Sequence, residues 1–205
     1  VDFSEDLIQA HSEVEKLMPF IHLPIQSGSN KILKSMNRKH TVEDYFEIID
    51  KLKKKKPNIK FSSDFIIGYP GETDKDFNET LNLIKKVGFI NSFSFIFSPR
   101  PGTPAANMQL VDLKVAKERL NLFQKESTNF KLEYRKNLLN TKSNVLFENN
   151  IKNKNEFFGR DEFSNSVIVK SNENLIGEIR EVKITNINQN TLFGEILNKT
   201  KGIAA

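Results

Sequence analysis

Apolar residues before residue 140 follow two patterns that alternate along the sequence. Apolar positions at helical spacing predict helices that begin after polar capping residues, namely Ser4, Thr41, Thr73 and Asp112. Thr41 and Thr73 are each followed three residues later by an aspartate, which is the spacing of a capping box. Short continuous apolar runs predict strands at residues 20–25, 59–67 and 89–97. This alternation is typical of an α/β fold with a parallel sheet and right-handed crossovers.

The pattern changes near Asn140. Short β-rich runs separated by Asn- and Ser-rich turns follow at residues 144–147, 166–170, 179–187 and 192–197. Regular short strands without helices between them predict a small β-barrel of the OB type. The sequence therefore predicts two domains, an α/β domain over residues 1–139 and a barrel over residues 140–200.

Three motifs end the predicted strands of the α/β domain. They are HLPIQSGS at residues 22–29, SSDFIIGYPGET at residues 62–73 and SPRPGTPAA at residues 98–106. Each is an apolar run that stops abruptly in small, polar or charged residues, as a buried parallel strand does where it reaches a ligand-binding face. We expect the three strand ends to share one pocket.

Composition limits the class of protein and its partners. The 205 residues are 38% hydrophobic, and no apolar stretch approaches the roughly 18 residues that a membrane span needs. The sequence thus predicts a cytoplasmic protein without a membrane partner. A formal net charge of +5 allows a polyanionic partner without demonstrating one.

Four motifs together resemble one enzyme family. HLPIQSGS, MNRKHT at residues 36–41, DFIIGYPGET and RPGTPAA, in this order, are similar to the radical SAM methylthiotransferases of the MiaB type. The resemblance covers nearly the whole chain and implies the second half of a radical SAM (β/α) barrel followed by a TRAM domain. Pro24 and Arg100-Pro101 are similar to the branch that acts on isopentenyladenosine. The branch that acts on threonylcarbamoyladenosine in tRNA remains an alternative.

The resemblance implies a reaction and its cofactors. Such enzymes add a methylthio group to C2 of isopentenyladenosine next to the anticodon, with S-adenosylmethionine and two 4Fe-4S clusters. Cluster ligands are mainly cysteines, and this chain has none. We therefore expect the C-terminal part of such an enzyme, or the product of a split or truncated gene, that is inactive alone and that a separate N-terminal chain could complement. A non-catalytic RNA-binding module is the alternative.

Cofactor-binding residues follow from the first motif as the resemblance implies them. Gln26, Ser27 and Ser29 offer amide and hydroxyl groups suited to the ribose hydroxyls or the carboxylate of S-adenosylmethionine, and Gly28 permits close approach. Ser29 is equally compatible with a helix cap. His22, within the apolar run, is predicted to be a core residue.

The other two motifs add further cofactor-binding residues. Ile67, with Ile66 and Tyr69, is expected to pack against the adenine, while Gly68 keeps the following turn open. Asp64 needs a hydrogen-bond donor from the ligand or an arginine. Arg100 offers a forked cation for a carboxylate or phosphate, with an exposed loop arginine as the alternative. Glu72-Thr73 is predicted only to begin a helix.

RNA contacts are predicted in the barrel. The run Phe157-Phe158-Gly159-Arg160 joins aromatic rings, a flexible glycine and a cation. Stacking and phosphate contact of this kind hold single-stranded RNA on small barrels, and the implied partner is a tRNA anticodon stem-loop. We assign the RNA contacts to Phe158 and Arg160, while at least one of the two phenylalanines could belong to the core.

Overall fold

The computed structural model of the chain describes residues 3–151 and 155–198. Two compact units divide between Phe130 and Lys131, within the longest helix. The predicted barrel bounds reach residues 199 and 200, which lie outside the described residues. None of the described helices is long and apolar enough to cross a membrane.

The first unit alternates helices with three strands. The helices are α1 (Glu5–Glu13), α2 (Asn30–Ser35), α3 (Val42–Lys55), α4 (Asp74–Val87) and α5 (Leu113–Lys136), the last of which continues past the unit boundary. The strands are β1 (Phe20–His22), β2 (Lys60–Ile67) and β3 (Asn91–Ile96), and a 3₁₀ turn lies at Pro104–Asn107. Capping boxes at Thr41 and Thr73 open α3 and α4, which confirms the predicted spacing.

The three strands form a parallel sheet in the order β1-β2-β3, which confirms the predicted α/β class. β1 is shorter than the predicted strand at residues 20–25, because Pro24 has no N–H for the ladder. The hydroxyl of Ser63 instead accepts from the Ile25 N–H at 3.0 Å and donates to the Leu23 carbonyl at 2.8 Å. Residues 23–25 therefore remain hydrogen-bonded to β2 beyond the end of β1.

One face of the sheet is buried against helices, whereas the other carries several exposed side chains. Phe61, Phe65 and Ile67 of β2 are at most 1% exposed and belong to the main core cluster. The opposite side, called here the open face, consists of alternate residues that share it by strand register, namely His22, Ser62, Asp64, Ile66, Phe93 and Phe95. The rings of Phe93 and Phe95 are 48% and 60% exposed.

The second unit is a closed five-stranded barrel in the order β4-β5-β6-β8-β7. Its strands are β4 (Lys142–Ile151), β5 (Glu156–Asp161), β6 (Ser166–Lys170), β7 (Ile179–Ile187) and β8 (Leu192–Asn198). The predicted small barrel is thus confirmed, but sequence patterning missed β5 as a strand. Gly159 and Asp161 occupy inward positions of β5, so the apolar alternation that marks a strand is broken there.

Gly159 is required by the close pairing of β4 and β5. A Cβ atom at this position would lie 2.4 Å from the Leu146 carbonyl oxygen and 2.7 Å from Cγ1 of Val145. The first neighbour is backbone and cannot turn aside. Gly159 is therefore a packing glycine of a regular strand, which corrects the flexible role predicted from the sequence.

We expect Gly159→Ala to lower the free energy of unfolding of the barrel by about 1–3 kcal/mol, because the new methyl group overpacks against the β4 backbone. Hydrogen exchange of barrel amides measures this loss. Arg160→Ala, at the neighbouring exposed position, is the matched control and should change the stability by less than about 0.5 kcal/mol. Equal protection of Gly159→Ala and wild type would contradict the packing role.

Candidate functional site

The three sequence motifs lie where the parallel strands end. HLPIQSGS continues from β1, the GYPGET part of the second motif follows β2, and SPRPGTPAA follows β3. Because the strands are parallel neighbours, these three segments leave the sheet at the same edge. Ligands in α/β sheets bind outside the carboxyl ends of the strands. The edge is therefore the candidate site of the first unit.

Gln26 is held against β2 by its backbone. Its N–H donates to the Asp64 carbonyl and its own carbonyl accepts from the Ile66 N–H, both at 2.9 Å. Its φ of 79° lies in the left-handed region, which few residues other than glycine adopt. The residue is 9% exposed. The strand edge thus fixes Gln26 next to Asp64.

Ser27, Gly28 and Ser29 contact α4. The Gly28 N–H donates to Oγ1 of Thr80 at 2.9 Å, and the Ser29 hydroxyl donates to Asp76 Oδ1 at 2.7 Å. Both serines are 1% exposed. These groups make hydrogen bonds within the protein. The two serine side chains therefore have almost no exposed surface for the predicted contact with a cofactor. Ser29 precedes α2, but its hydroxyl does not cap that helix.

A Cβ atom at Gly28 would lie 2.5 Å from Cα of Thr80 and 2.6 Å from the Glu79 carbonyl oxygen. The close approach that Gly28 permits is therefore to α4. The turn after β1 and the helix after β2 are locked together at this point.

Asp76 is the centre of this connection. Its carboxylate accepts from the Ser29 hydroxyl, from Lys31 Nζ at 2.8 Å and from the Thr73 N–H at 2.8 Å. Burial by itself would raise the pKa of Asp76, but the hydrogen bonds from Lys31, Thr73 and Ser29 hold this pKa well below its usual range. The carboxylate is therefore ionised and bonded across the physiological range.

A polar cluster lies on the open face. His22 Nδ1 is 2.8 Å from the Ser62 hydroxyl, and His22 Nε2 is 3.4 Å from Asp64 Oδ2. The Phe93 ring meets the imidazole edge-on at a centroid distance of 6.0 Å. His22 is exposed, so the core position predicted for it is wrong, because its register with Ser62 turns it away from the helices. The neighbour of Asp64 is this histidine rather than an arginine.

The side chains of Ile67 and Tyr69 are both buried. Ile67 is fully buried in the main core, and Tyr69 is 5% exposed with its hydroxyl donating to the Ser35 carbonyl at 2.9 Å. These two side chains therefore offer little exposed surface for the adenine packing, which stays a prediction. Ile66 is the residue of this run that lies on the open face, because side chains alternate along β2.

Two further predicted residues lie in the loops beyond the strands. Gly68 directly follows β2 with a φ of 70°, and its N–H donates to Glu72 Oε1 at 3.1 Å. Glu72 is 6% exposed and accepts this bond, so the prediction that Glu72-Thr73 only begins a helix is wrong for Glu72. Arg100 is exposed in a turn whose Thr103 N–H donates to the Arg100 carbonyl at 3.2 Å.

The barrel separates the predicted RNA run by strand alternation. Phe157 is 6% exposed within the barrel core, whereas Phe158 and Arg160 lie on the outer surface. The Arg160 guanidinium carbon is 5.7 Å from the Phe158 ring centroid, and its Nη1 is 3.6 Å from Glu148 Oε1. An outward aromatic ring and a cation are therefore adjacent.

Sequence reasoning missed two partners of these residues. Register places Ile168 beside Phe158 and Phe193 beside Ile168, which gives a half-buried apolar row across β5, β6 and β8. Only strand pairing reveals this row. Arg119 of α5 pairs with Glu72 at 2.9 Å, a contact that no local pattern indicates.

No group of three or more histidine, aspartate, glutamate or cysteine side chains suited to a metal occurs among residues 3–151 and 155–198. The whole sequence contains no cysteine. The residues present therefore do not fit an iron–sulfur cluster, whose ligands are mainly thiolates.

Comparison with known proteins agrees with both units. Residues 2–84 match the Radical SAM superfamily and residues 139–197 match the TRAM domain. A tRNA-2-methylthio-N(6)-dimethylallyladenosine synthase of Pelagibacter ubique is 52% identical over 98% of this chain and 45% of its own length. Proteins of the same name from Rickettsia felis and Rickettsia akari are 45% and 46% identical over 96% of the chain. The chain spans 45% of the length of these relatives.

We expect Asp76→Asn to lower the free energy of unfolding of the first unit by about 2 kcal/mol at pH 7, since several bonds to a charged acceptor are weakened. A lowered pKa stabilises the fold above the unfolded value of about 3.9 and loses this effect as pH falls below it. The gap between wild type and variant should therefore shrink from pH 5 towards pH 2 in urea titrations. Asp50→Asn, in an exposed part of α3, is the control, and a gap that stays constant with pH would contradict this role.

Proposed function

We propose that the chain belongs to the radical SAM methylthiotransferase family and corresponds to the cofactor- and RNA-positioning part of a tRNA methylthiotransferase. The proposed enzyme adds a methylthio group to C2 of isopentenyladenosine next to the anticodon. The supporting observation is similarity over 98% of the chain to a relative named for 2-methylthio-N(6)-dimethylallyladenosine synthesis. The radical SAM match and the TRAM match agree with this reading in both units.

We assign the S-adenosylmethionine site to the open face and the adjoining strand ends. Asp64 and His22 are partly exposed hydrogen-bonding groups there, and the rings of Phe93 and Phe95 offer apolar surface beside them. A carboxylate suits ribose hydroxyls and an aromatic ring suits a purine. S-adenosylmethionine would supply the methyl group and the means of breaking the C2–H bond. The chain's own residues would bind and orient it.

The predicted residues take different parts in this site. Asp64 and Arg100 have surface for direct contact, and Gln26 and Gly68 present backbone at the strand ends. Ser27, Gly28, Ser29 and Ile67 would act by holding this backbone in place, because their side chains or close contacts face the protein interior. The chain would supply no cluster ligand, and we propose that cluster-binding residues, in the same or a separate N-terminal chain, complete the enzyme.

The barrel is proposed to hold a tRNA anticodon stem-loop. Phe158 presents a ring on the outer surface, and Arg160 provides a cation beside it. Base stacking on aromatic rings and phosphate contact by arginine are how small barrels bind single-stranded RNA. A tRNA substrate is consistent with a cytoplasmic enzyme.

The cofactor assignment predicts that the chain binds S-adenosylmethionine in calorimetric titrations. Asp64→Asn should weaken the Kd about tenfold, or about 1.4 kcal/mol, through loss of an ionised acceptor. Arg100→Lys should also weaken binding, since the forked donor geometry is lost while the charge remains. Asp50→Asn serves as the control. Absence of binding by the wild-type chain, or equal binding by all variants, would overturn the assignment.

The RNA assignment predicts binding of a fluorescent anticodon stem-loop by the full chain, with affinity falling as salt rises. Arg160→Ala should flatten the salt slope by roughly one unit, as for one lost phosphate contact. Phe158→Ala should cost about 1–3 kcal/mol with a smaller change in slope.

Matched controls for the RNA titration come from the same barrel. Lys142, a similarly exposed and ion-paired cation, is changed in Lys142→Ala, and the exposed side chain of Ile176 is removed in Ile176→Ala. Affinities that are the same for wild type, both test variants and both controls would place RNA binding elsewhere.

A further inference from the structure

The turn that follows β2 is braced from α5. Arg119 reaches from α5 to Glu72, with Nη1 at 2.9 Å from Oε1 of Glu72 and 3.1 Å from its backbone carbonyl. Nη2 donates to Asp74 Oδ1 at 2.7 Å. Arg119 and Glu72 are 9% and 6% exposed. One guanidinium therefore bonds both ends of the Glu72 residue and the start of α4.

The same carboxylate reaches back to the strand end. Glu72 Oε1 accepts from the Gly68 N–H at 3.1 Å, so a single oxygen receives both the Gly68 amide and Arg119. Burial raises the pKa of Glu72. The Gly68 N–H and Arg119 act in the opposite direction, because both favour the charged carboxylate. A buried carboxylate that lost the arginine would lack its compensating charge.

Packing supports the same connection. A Cβ atom at Gly68 would lie 2.8 Å from Cβ of Ala116, one turn before Arg119 on α5. Gly68 also has a φ of 70°, which favours glycine. Backbone conformation, packing and the ion pair thus all fix the position of Gly68 relative to α5.

We propose that Arg119 is a positioning residue, which acts through Glu72 to hold the Gly68 turn at the end of β2 in the geometry that the ligand meets. This inference rests on the proposed function, in which the strand ends face S-adenosylmethionine. Arg119 itself lies behind the turn and need not touch the ligand. Its role is distinct from that of Asp64 and Arg100, which we assign to direct contact.

The test compares local with global protection in this chain. Amide hydrogen exchange followed by NMR should show Gly68 exchanging at least tenfold faster in Arg119→Met, while the Phe65 amide within β2 changes much less. Glu72→Gln should have a similar local effect. If the two residues act as one unit, the double variant should lose little more than either single variant.

Controls separate positioning from general stability. Lys117→Met removes an exposed charge from the same helix and should leave the Gly68 amide unchanged. Arg119→Lys keeps the charge but loses the forked donor geometry, so we expect an intermediate effect on the Gly68 amide. If Arg119→Met does not fold, the single variants Arg119→Lys and Glu72→Gln decide the test. Equal acceleration of Gly68 and Phe65 would overturn the proposal, because it would indicate only a loss of global stability.

Ligand binding gives the second measurement. Arg119→Met should weaken the binding of S-adenosylmethionine about tenfold. Arg119→Lys, used if Arg119→Met does not fold, should also weaken it. Lys117→Met should leave the Kd unchanged. A loosened Gly68 amide with an unchanged Kd would overturn the positioning role. If the wild-type chain binds no S-adenosylmethionine, the proposed cofactor site is overturned. The positioning role is then overturned too, even if hydrogen exchange shows that Arg119 and Glu72 protect the Gly68 amide.

Discussion

One-sided burial of the parallel sheet sets the arrangement of the whole first unit. Side chains alternate along β2, so the Phe65 ring enters the core while Asp64 and Ile66 remain on the open face. The Phe65 ring lies 4.7 Å from Phe123 of α5 and 5.7 Å from Phe89. A slip of one residue in register would bury Asp64 and expose Phe65. The polar open face therefore depends on the apolar contacts behind it.

The loops at the strand ends are held by buried charges rather than by regular structure. Asp76 accepts a hydrogen bond from the turn after β1, and Glu72 accepts one from the turn after β2. Each carboxylate has a cationic partner, Lys31 for Asp76 and Arg119 for Glu72. Bonds to charged groups are stronger and more directional than apolar contacts, so they define loop geometry more narrowly. This arrangement suits the role proposed for the edge, which is to present backbone to a ligand.

Much of the architecture could be predicted from local pattern. Apolar periodicity and the capping pairs indicated α3 and α4, and runs of β-branched and aromatic residues indicated β2 and β3. The apolar spacing of α1 continues in the sequence to Met18, but α1 ends at Glu13 and Met18 is 48% exposed. Periodicity reports which positions could share a face, but it does not report whether another surface is present to cover them.

The candidate site was harder to predict, because the type of a residue does not indicate which way its side chain points. Ser29 and Ile67 have side chains that could meet a cofactor, but one donates to Asp76 and the other is buried in the core. His22 shows the reverse error, since its apolar neighbours hid an outward position. Arg119 is nearly fifty residues from Glu72 in sequence, and no local spacing relates them. Long-range pairing decides all four cases.

Strand β5 shows how one short run can serve both the core and a proposed binding surface. Phe157 and Gly159 face inward, where one fills the barrel core and the other permits contact with β4. Phe158 and Arg160 face outward in between. Because the two sets alternate, inward positions fix the register and the register fixes the spacing of ring and cation. A shift of β5 by one residue would turn Phe158 and Arg160 inward, which would bury a cation in the barrel core and remove the proposed RNA contact.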